Sequence, residues 1–139
     1  EGSTFVEVAF HNTGLYNTDG KGAYPAENTG VFEISNIPSD MGRFRAPTLR
    51  TIEVTAPYMH DGSVATLEEV LDHYASGGRT IASGPNAGDG SKSPLKSELI
   101  NGFTFAPGEK EDVVAFLKSL TDAELLKDPR LADPWAKAP

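Results

Sequence analysis

At 139 residues, 38% of them hydrophobic and 23% charged, the chain is long enough for one domain with a modest core and too apolar for wholesale disorder. A formal net charge of -8, with no stretch gathering Lys and Arg into a stripe, argues against nucleic acid and anionic membrane surfaces as partners. The lack of cysteine excludes disulfides, thiolate nucleophiles, Cys-ligated zinc and iron–sulfur clusters, and no apolar run reaches the length of a membrane span.

From Glu1 to about Asp40 the turn formers His11-Asn12-Thr13-Gly14 and Asn17-Thr18-Asp19-Gly20-Lys21-Gly22 predict loops with at most short extended pieces. The opening residues Glu1-Gly2-Ser3-Thr4-Phe5 lack an initiator Met and a signal peptide, as expected of a processed or excised chain. Pro47 is placed to open a short helix across Thr48-Leu49-Arg50-Thr51-Ile52, because proline is tolerated at a first helical position. A turn-rich segment, Thr55-Ala56-Pro57-Tyr58-Met59-His60-Asp61-Gly62, follows.

Thr66 and Glu69 form a capping-box signature, after which Leu67, Val70, Leu71 and Tyr74 share one helical face. On that spacing His73 points away from the apolar stripe and into solvent. Gly77-Gly78 ends the helix, and the glycine-rich stretch from Ile81 to Ser93 reads as a surface loop. A second helix opens near Pro107 and runs to Leu120, with Val113, Phe116, Leu117 and Leu120 facing the core. Its acidic first turn and late Lys118 suit the helix dipole. A helical turn at Asp122–Leu126 and an irregular tail through Pro129, Pro134 and Trp135 complete the chain.

The chemical inventory is sparse: His11, His60, His73, Tyr74, Met59 and scattered carboxylates. No Ser-His-Asp order with a nucleophile elbow, phosphate-binding glycine loop or paired-His zinc signature is present. The residues taken singly support a mostly helical, loop-rich domain and nothing more specific.

Several ordered segments together say more. Gly42-Arg43-Phe44-Arg45-Ala46-Pro47-Thr48-Leu49-Arg50, then Thr55 to Gly62, then Thr66-Leu67-Glu68-Glu69-Val70-Leu71-Asp72-His73-Tyr74, resemble the di-haem cytochrome c peroxidase and MauG-like family. Lys92-Ser93-Pro94, Glu111 to Leu117 and Asp128-Pro129-Arg130 continue the likeness. The resemblance implies a mainly α, loop-rich, cytochrome c-like haem domain, with residues 1–139 as one domain. In the family this is the C-terminal part of the second, electron-entry haem domain.

The family pattern sets Cys-x-x-Cys-His just before segments that survive here as Gly2-Ser3-Thr4-Phe5 and Phe10-His11-Asn12-Thr13-Gly14, so the motif would end ahead of Glu1. The expectation is an excised piece whose haem c attachment and proximal ligand lie just ahead of Glu1 or on a companion chain, with a missing N-terminal haem domain as its partner. Alternatively the chain is a haem-free structural or partner-binding module of that fold.

Residue roles follow from the resemblance. Tyr74 falls where peroxidase members carry a Met that ligates haem iron; a tyrosinate there would favour oxidised iron, as in MauG-like members. Packing on the helix's core face is its plain alternative. Met59 is a rival ligand, although Phe at this position in other members suggests packing. His60 is expected to orient a haem propionate, and His11 to brace its own turn. Arg45 and Arg50 are candidates to pair propionates through planar guanidinium groups. Thr55 and Pro57 match positions whose backbone carbonyls bind calcium between the two haem domains.

The implied activity is reduction of hydrogen peroxide with electrons from a small redox protein in the periplasm, or MauG-like oxidation of a protein tryptophan. The catalytic residues would lie on the missing half, the chain alone would be inactive, and a homodimer is in keeping with the family.

Overall fold

A computed structural model describes residues 7–133 and Trp135 of the protein. The Gly2–Phe5 segment and Pro134 lie outside the described residues.

The first elements are short because turn formers crowd the sequence. β1 (Phe10–His11) pairs antiparallel with β2 (Phe44–Arg45), Phe10 opposite Arg45 and His11 opposite Phe44. Between them a four-residue helix, α1 (Phe32–Ser35), ends at Asn36 in the left-handed region, φ 54°. Asn is among the few residues that enter that region cheaply.

α2 (Leu67–Ala75) has the reciprocal cap its sequence announces. The Glu69 amide donates to Thr66 Oγ1 at 3.2 Å, and the Glu69 carboxylate accepts from the Thr66 amide at 3.0 Å. A second ribbon follows, β3 (Thr80–Ile81) against β4 (Gly88–Asp89), and then α3 (Glu109–Ser119). α3 packs on α2, where Lys110 Nζ lies 2.7 Å from the Asp72 carboxylate. The Thr51 amide donates to the Leu120 carbonyl at 3.0 Å, fastening the far end of α3.

A backbone junction joins these pieces. The Arg79 amide donates to the Gly14 carbonyl at 2.9 Å, and the Gly90 amide donates to the Arg79 carbonyl at 2.8 Å. Three segments meet there with no room for side chains. A Cβ on Gly78 would sit 2.7 Å from the Ser91 amide nitrogen, and one on Gly90 would strike the Gly14 carbonyl. Gly78 also has φ +134°, which other residues rarely adopt.

Beside the junction Leu15, Tyr16 and Tyr24 form a buried cluster, with Met41, Phe44, Met59 and Ile81 packed against it. Asn12, buried beneath, uses both ends of its amide. Its Oδ1 accepts from Tyr24 Oη (2.8 Å) and the Gly14 amide (2.9 Å), and its Nδ2 donates to the Met41 carbonyl (2.9 Å).

Several sequence expectations are corrected. The fold is loop-rich, but its α-helices have only 4, 9 and 11 residues, less helix than a mainly α reading implies. No helix starts at Pro47. The Arg50 amide turns back to Thr48 Oγ1 (3.2 Å), Thr51 takes φ 58°, and only a 3-10 turn forms at Ile52–Val54. On α3 the buried residues are Val114 and Leu117, whereas Phe116 is 52% exposed. The stretch from Ile81 to Ser93 is not all surface, since Gly90 and Ser93 are buried.

His73 is buried as well, at 7% exposure, with Nε2 at 2.9 Å from the Thr13 carbonyl. The segment carrying Thr13 and Gly14 packs over the helix face that amphipathic spacing had assigned to solvent.

Tyr16, Asp61 and Arg79 tie the first segment, the turn before α2 and the strand after it. Tyr16 Oη donates to Asp61 Oδ2 at 2.6 Å, and the Arg79 guanidinium reaches Asp61 at 3.4 Å, Ser63 Oγ at 2.5 Å and the Leu15 carbonyl at 3.2 Å. Burial pushes the Asp61 carboxyl up, but the hydrogen bonds from Tyr16 and Ser63 and the Arg79 charge outweigh it and hold it below the ordinary value of 3.8.

Two measurements check these points. Thr66→Ala removes the acceptor for the Glu69 amide and should cost about 1 kcal/mol in urea unfolding. Because the folded Asp61 carboxyl titrates below its unfolded value, its contribution is full above pH 3.8 and is lost as pH falls through the lowered folded value. Asp61→Asn should therefore lower stability at neutral pH and flatten the acid limb of the stability–pH curve below pH 3.8.

Candidate functional site

The turn before α2 is closed by a two-bond bridge. The Tyr58 amide donates to the Val64 carbonyl at 2.6 Å and the Val64 amide returns to Tyr58 at 3.4 Å. Tyr58 Oη anchors the preceding segment by donating to the Ile52 carbonyl at 3.0 Å. The loop so pinched off presents Met59, His60 and Asp61.

Met59 takes φ 65° and packs against the Leu15–Tyr16–Tyr24 cluster, so its thioether lies among core side chains. His60 stacks flat on Phe44, ring centroids 3.7 Å apart and planes at 10°. It also meets the edge of Tyr16 at 6.5 Å. Burial lowers the His60 pKa, the Arg79 charge adds to that, and the Asp61 carboxylate only partly opposes it. The neutral ring leaves Nε2 buried with no hydrogen-bond partner. Buried polar atoms are nearly always paired, so an orphan of this kind calls for an explanation.

Tyr74 sits in the last turn of α2, half-buried, with its ring edge-on to His73 at 5.6 Å and 80°. Its hydroxyl makes no hydrogen bond among the described residues. Burial raises its pKa, so the phenol is protonated unless a strong Lewis acid displaces the proton.

The remaining candidates are more peripheral. Arg45 lies on β2 with an exposed side chain that carries no ion pair among the described residues, and Arg50 is exposed on the following turn. Thr55 and Pro57 flank a cis Ala56–Pro57 bond on an exposed turn, Thr55 Oγ1 donating to the Ile52 carbonyl at 3.0 Å. No group of three or more His, Cys, Asp or Glu residues able to hold a metal occurs among the described residues. No described helix is long and apolar enough to cross a membrane.

His11 departs from its expected role. It reaches Ser97 Oγ through Nδ1 at 3.2 Å and Glu7 through Nε2 at 3.2 Å, while Asn12 braces the turn. Sequence reading missed Asn12, Tyr16 and Arg79. Their only signals were a polar Asn between His and Thr, a tyrosine in a turn-rich stretch, and an arginine after Gly77-Gly78.

The donor set fits a haem in part. Tyr74 offers an unused oxygen and His60 an unused buried nitrogen, the first suited to iron and the second to a carboxylate. Large apolar side chains including Phe10, Ile34, Ile37 and Phe103 stand exposed. The cavities lined by Thr18, Tyr24 and Glu27 and by Ser63, Asp72 and Arg79 include neither Tyr74, Met59 nor His60. Neither of these cavities forms a slot around the three candidate residues. With no cysteine in the chain, thioether attachment must come from elsewhere.

The chain has recognisable relatives among known proteins. A family model for RoxA-like, cytochrome c-like sequences matches residues 43–76, which run from β2 through the bridged turn to the end of α2. Cytochrome-c peroxidase IdrP1 of Pseudomonas sp. (strain SCT) is 38% identical over 112 residues, covering 79% of this chain and 26% of its own length. Methylamine utilization protein MauG of Methylorubrum extorquens is 33% identical over 116 residues, covering 84% of this chain and 28% of its own.

A crystal structure of a MauG-like protein associated with microbial copper homeostasis superposes with a TM-score of 0.88 and 64% identity, over 93% of this chain and 37% of that one. The chain thus spans between about a quarter and two fifths of the length of these three relatives. A signature concentrated on the turn that carries His60 and the helix that carries Tyr74, with likeness over most of the remaining chain, means that this protein belongs to the di-haem cytochrome c peroxidase and MauG-like family.

Proposed function

We propose that this chain covers the electron-transfer haem of a periplasmic di-haem peroxidase, which reduces hydrogen peroxide with electrons from a small redox protein. The observation that carries the reading is the Tyr74 hydroxyl, half-buried on a doubly capped helix and without a hydrogen-bond partner in the described chain. The haem, when bound, supplies one-electron chemistry.

In this reading Tyr74 would be an oxygen ligand to the haem iron, and binding would require loss of the phenol proton that burial otherwise retains. His60 Nε2–H would donate to a propionate, which would satisfy its orphaned position. Arg45 and Arg50 neutralise propionate charge from the exposed side. Met59, packed in the core cluster, is a spacer rather than a ligand. Thr55 and Pro57 direct carbonyl oxygens at a calcium ion whose other ligands come from the first haem domain. The Cys-x-x-Cys-His motif of this haem comes from the segment the family sets before Gly2-Ser3-Thr4-Phe5 or from a companion chain, and the first haem domain brings the peroxide-binding haem. The acidic net charge of -8 suits a basic electron donor by long-range attraction. The intact protein is expected to dimerise through surfaces outside this reading.

A second reading is MauG-like oxidation of a protein tryptophan. Two points favour it: Tyr74 stands where the family resemblance sets a ligating Met in peroxidase members, and a MauG-like relative shares 64% identity. That relative's association with microbial copper homeostasis belongs to this second reading alone.

One series of measurements separates the possibilities. The intact protein should show a Soret band, whose absence would leave the haem-free module. Tyr74→Phe should shift the haem spectrum and its reduction potential, whereas an unchanged spectrum would assign Tyr74 to packing. Steady oxidation of a small reduced cytochrome by peroxide supports the peroxidase, and oxidation of a protein tryptophan without that turnover supports the MauG-like reading.

A further inference from the structure

We infer that Tyr16 is a redox-active residue, a one-electron station that delivers its phenol proton to Asp61 when it is oxidised. The inference rests on the proposed haem as the oxidant and adds a role for a residue outside the ligand set.

Two buried tyrosines lie edge to face, Tyr16 and Tyr24, with centroids 5.4 Å apart and planes at 72°. Their hydroxyl partners differ in kind. Tyr24 Oη donates to the Asn12 side-chain carbonyl at 2.8 Å and accepts from the Leu15 amide at 3.1 Å. A neutral amide oxygen cannot keep a proton, and burial pushes the Tyr24 phenol up to about 12. Tyr16 Oη donates instead to a carboxylate, Asp61 Oδ2, at 2.6 Å. That distance is typical of a charge-assisted O–H···O bond.

The surroundings then select the kind of oxidation. The Arg79 guanidinium lies 4.7 Å from the centre of the Tyr16 ring. A fixed positive charge over the ring opposes a second one, so removing an electron while the proton stays is unfavourable. Loss of both together leaves a neutral phenoxyl radical and avoids that repulsion. One electron passes from the Tyr16 ring to a peroxide-oxidised iron porphyrin, which is reduced by one equivalent. The O–H bond of Tyr16 breaks, and an O–H bond forms on Asp61 Oδ2. Arg79 keeps its bonds to Ser63 Oγ and the Leu15 carbonyl when Asp61 becomes neutral. The Tyr16 residue is 8% exposed and the Asp61 side chain 7%, so the proton stays beside the oxygen it left and the step is reversible. A ring contact at 6.5 Å joins Tyr16 to His60, the residue assigned to the propionate side.

The test is electron paramagnetic resonance of the haem-loaded, intact protein frozen after mixing with hydrogen peroxide, with the optical spectrum followed in parallel. A tyrosyl signal is expected that is lost in Tyr16→Phe, kept in Tyr24→Phe and altered by ring-deuterated tyrosine. Asp61→Asn should slow its appearance about a hundredfold, the scale set by a positioned proton acceptor. Formation in the unmodified protein should also be slower in deuterium oxide, a readout that needs no variant to fold. Oxidation of the haem without a tyrosyl signal, survival of the signal in Tyr16→Phe, or no deuterium effect would each overturn the inference. A haem spectrum that peroxide does not change would instead overturn the function proposed above, and this inference with it.

Discussion

Close approach of bare backbone holds this protein together. At Gly14, Gly78 and Gly90 three distant segments touch main chain to main chain, and two amide–carbonyl bonds through Arg79 lock them. A side chain at Gly78 or Gly90 would force the segments apart and unmake those bonds. Hydrogen bonds and packing around the junction then set everything near it. His73 docks on the Thr13 carbonyl, the Arg79 side chain reaches back to Leu15, and Tyr16 is placed over Asp61. The direction of α2, and with it the position of Tyr74, depends on a contact made outside the helix.

Polar satisfaction is uneven across the molecule, and the unevenness is informative. Asn12, Asp61, Arg79 and Asp89 use several bonds each, in positions where burial would otherwise be costly. Against that background the His60 and His11 Nε2 atoms, buried without a hydrogen bond, and the Tyr74 hydroxyl stand apart, although His11 Nε2 lies 3.2 Å from the Glu7 carboxylate. Exposed apolar side chains on the same chain, Phe10, Ile37 and Phe103 among them, indicate surface that water covers poorly. A porphyrin with its propionates would answer both deficits, the charged edge meeting nitrogen donors and the flat face meeting apolar groups.

The aromatic cluster links the scaffold to that chemistry. Tyr16, Tyr24, Phe44 and His60 touch in sequence, but only Tyr16 meets a carboxylate. Two tyrosines of equal intrinsic chemistry are made unequal by one neighbour each, an amide for one and an ionised acid for the other. The matched residues 43–76 contain His60, Asp61 and Tyr74, while Arg79 lies just beyond the match and Tyr16 well before it, and both hydrogen-bond to Asp61.

Local rules made α2, its Thr66–Glu69 cap, its end at Gly77-Gly78 and the span of α3 readable from residue order alone, because caps and glycine stops act within a few residues. Family likeness was readable for the same reason, in short segments that keep their order. Burial of His73, exposure of Phe116 and the failure of the Pro47 helix were not, since each depends on which segment packs where. The Tyr16–Asp61 bond spans 45 residues and the His73–Thr13 bond 60. Amphipathic spacing ranks the faces of a helix by hydrophobicity, but it cannot say that a backbone carbonyl will arrive on the polar one. Side-chain periodicity is a property of the chain. Which groups end up within hydrogen-bond reach is a property of the packed molecule, and the redox and ligand assignments proposed for this protein rest on that.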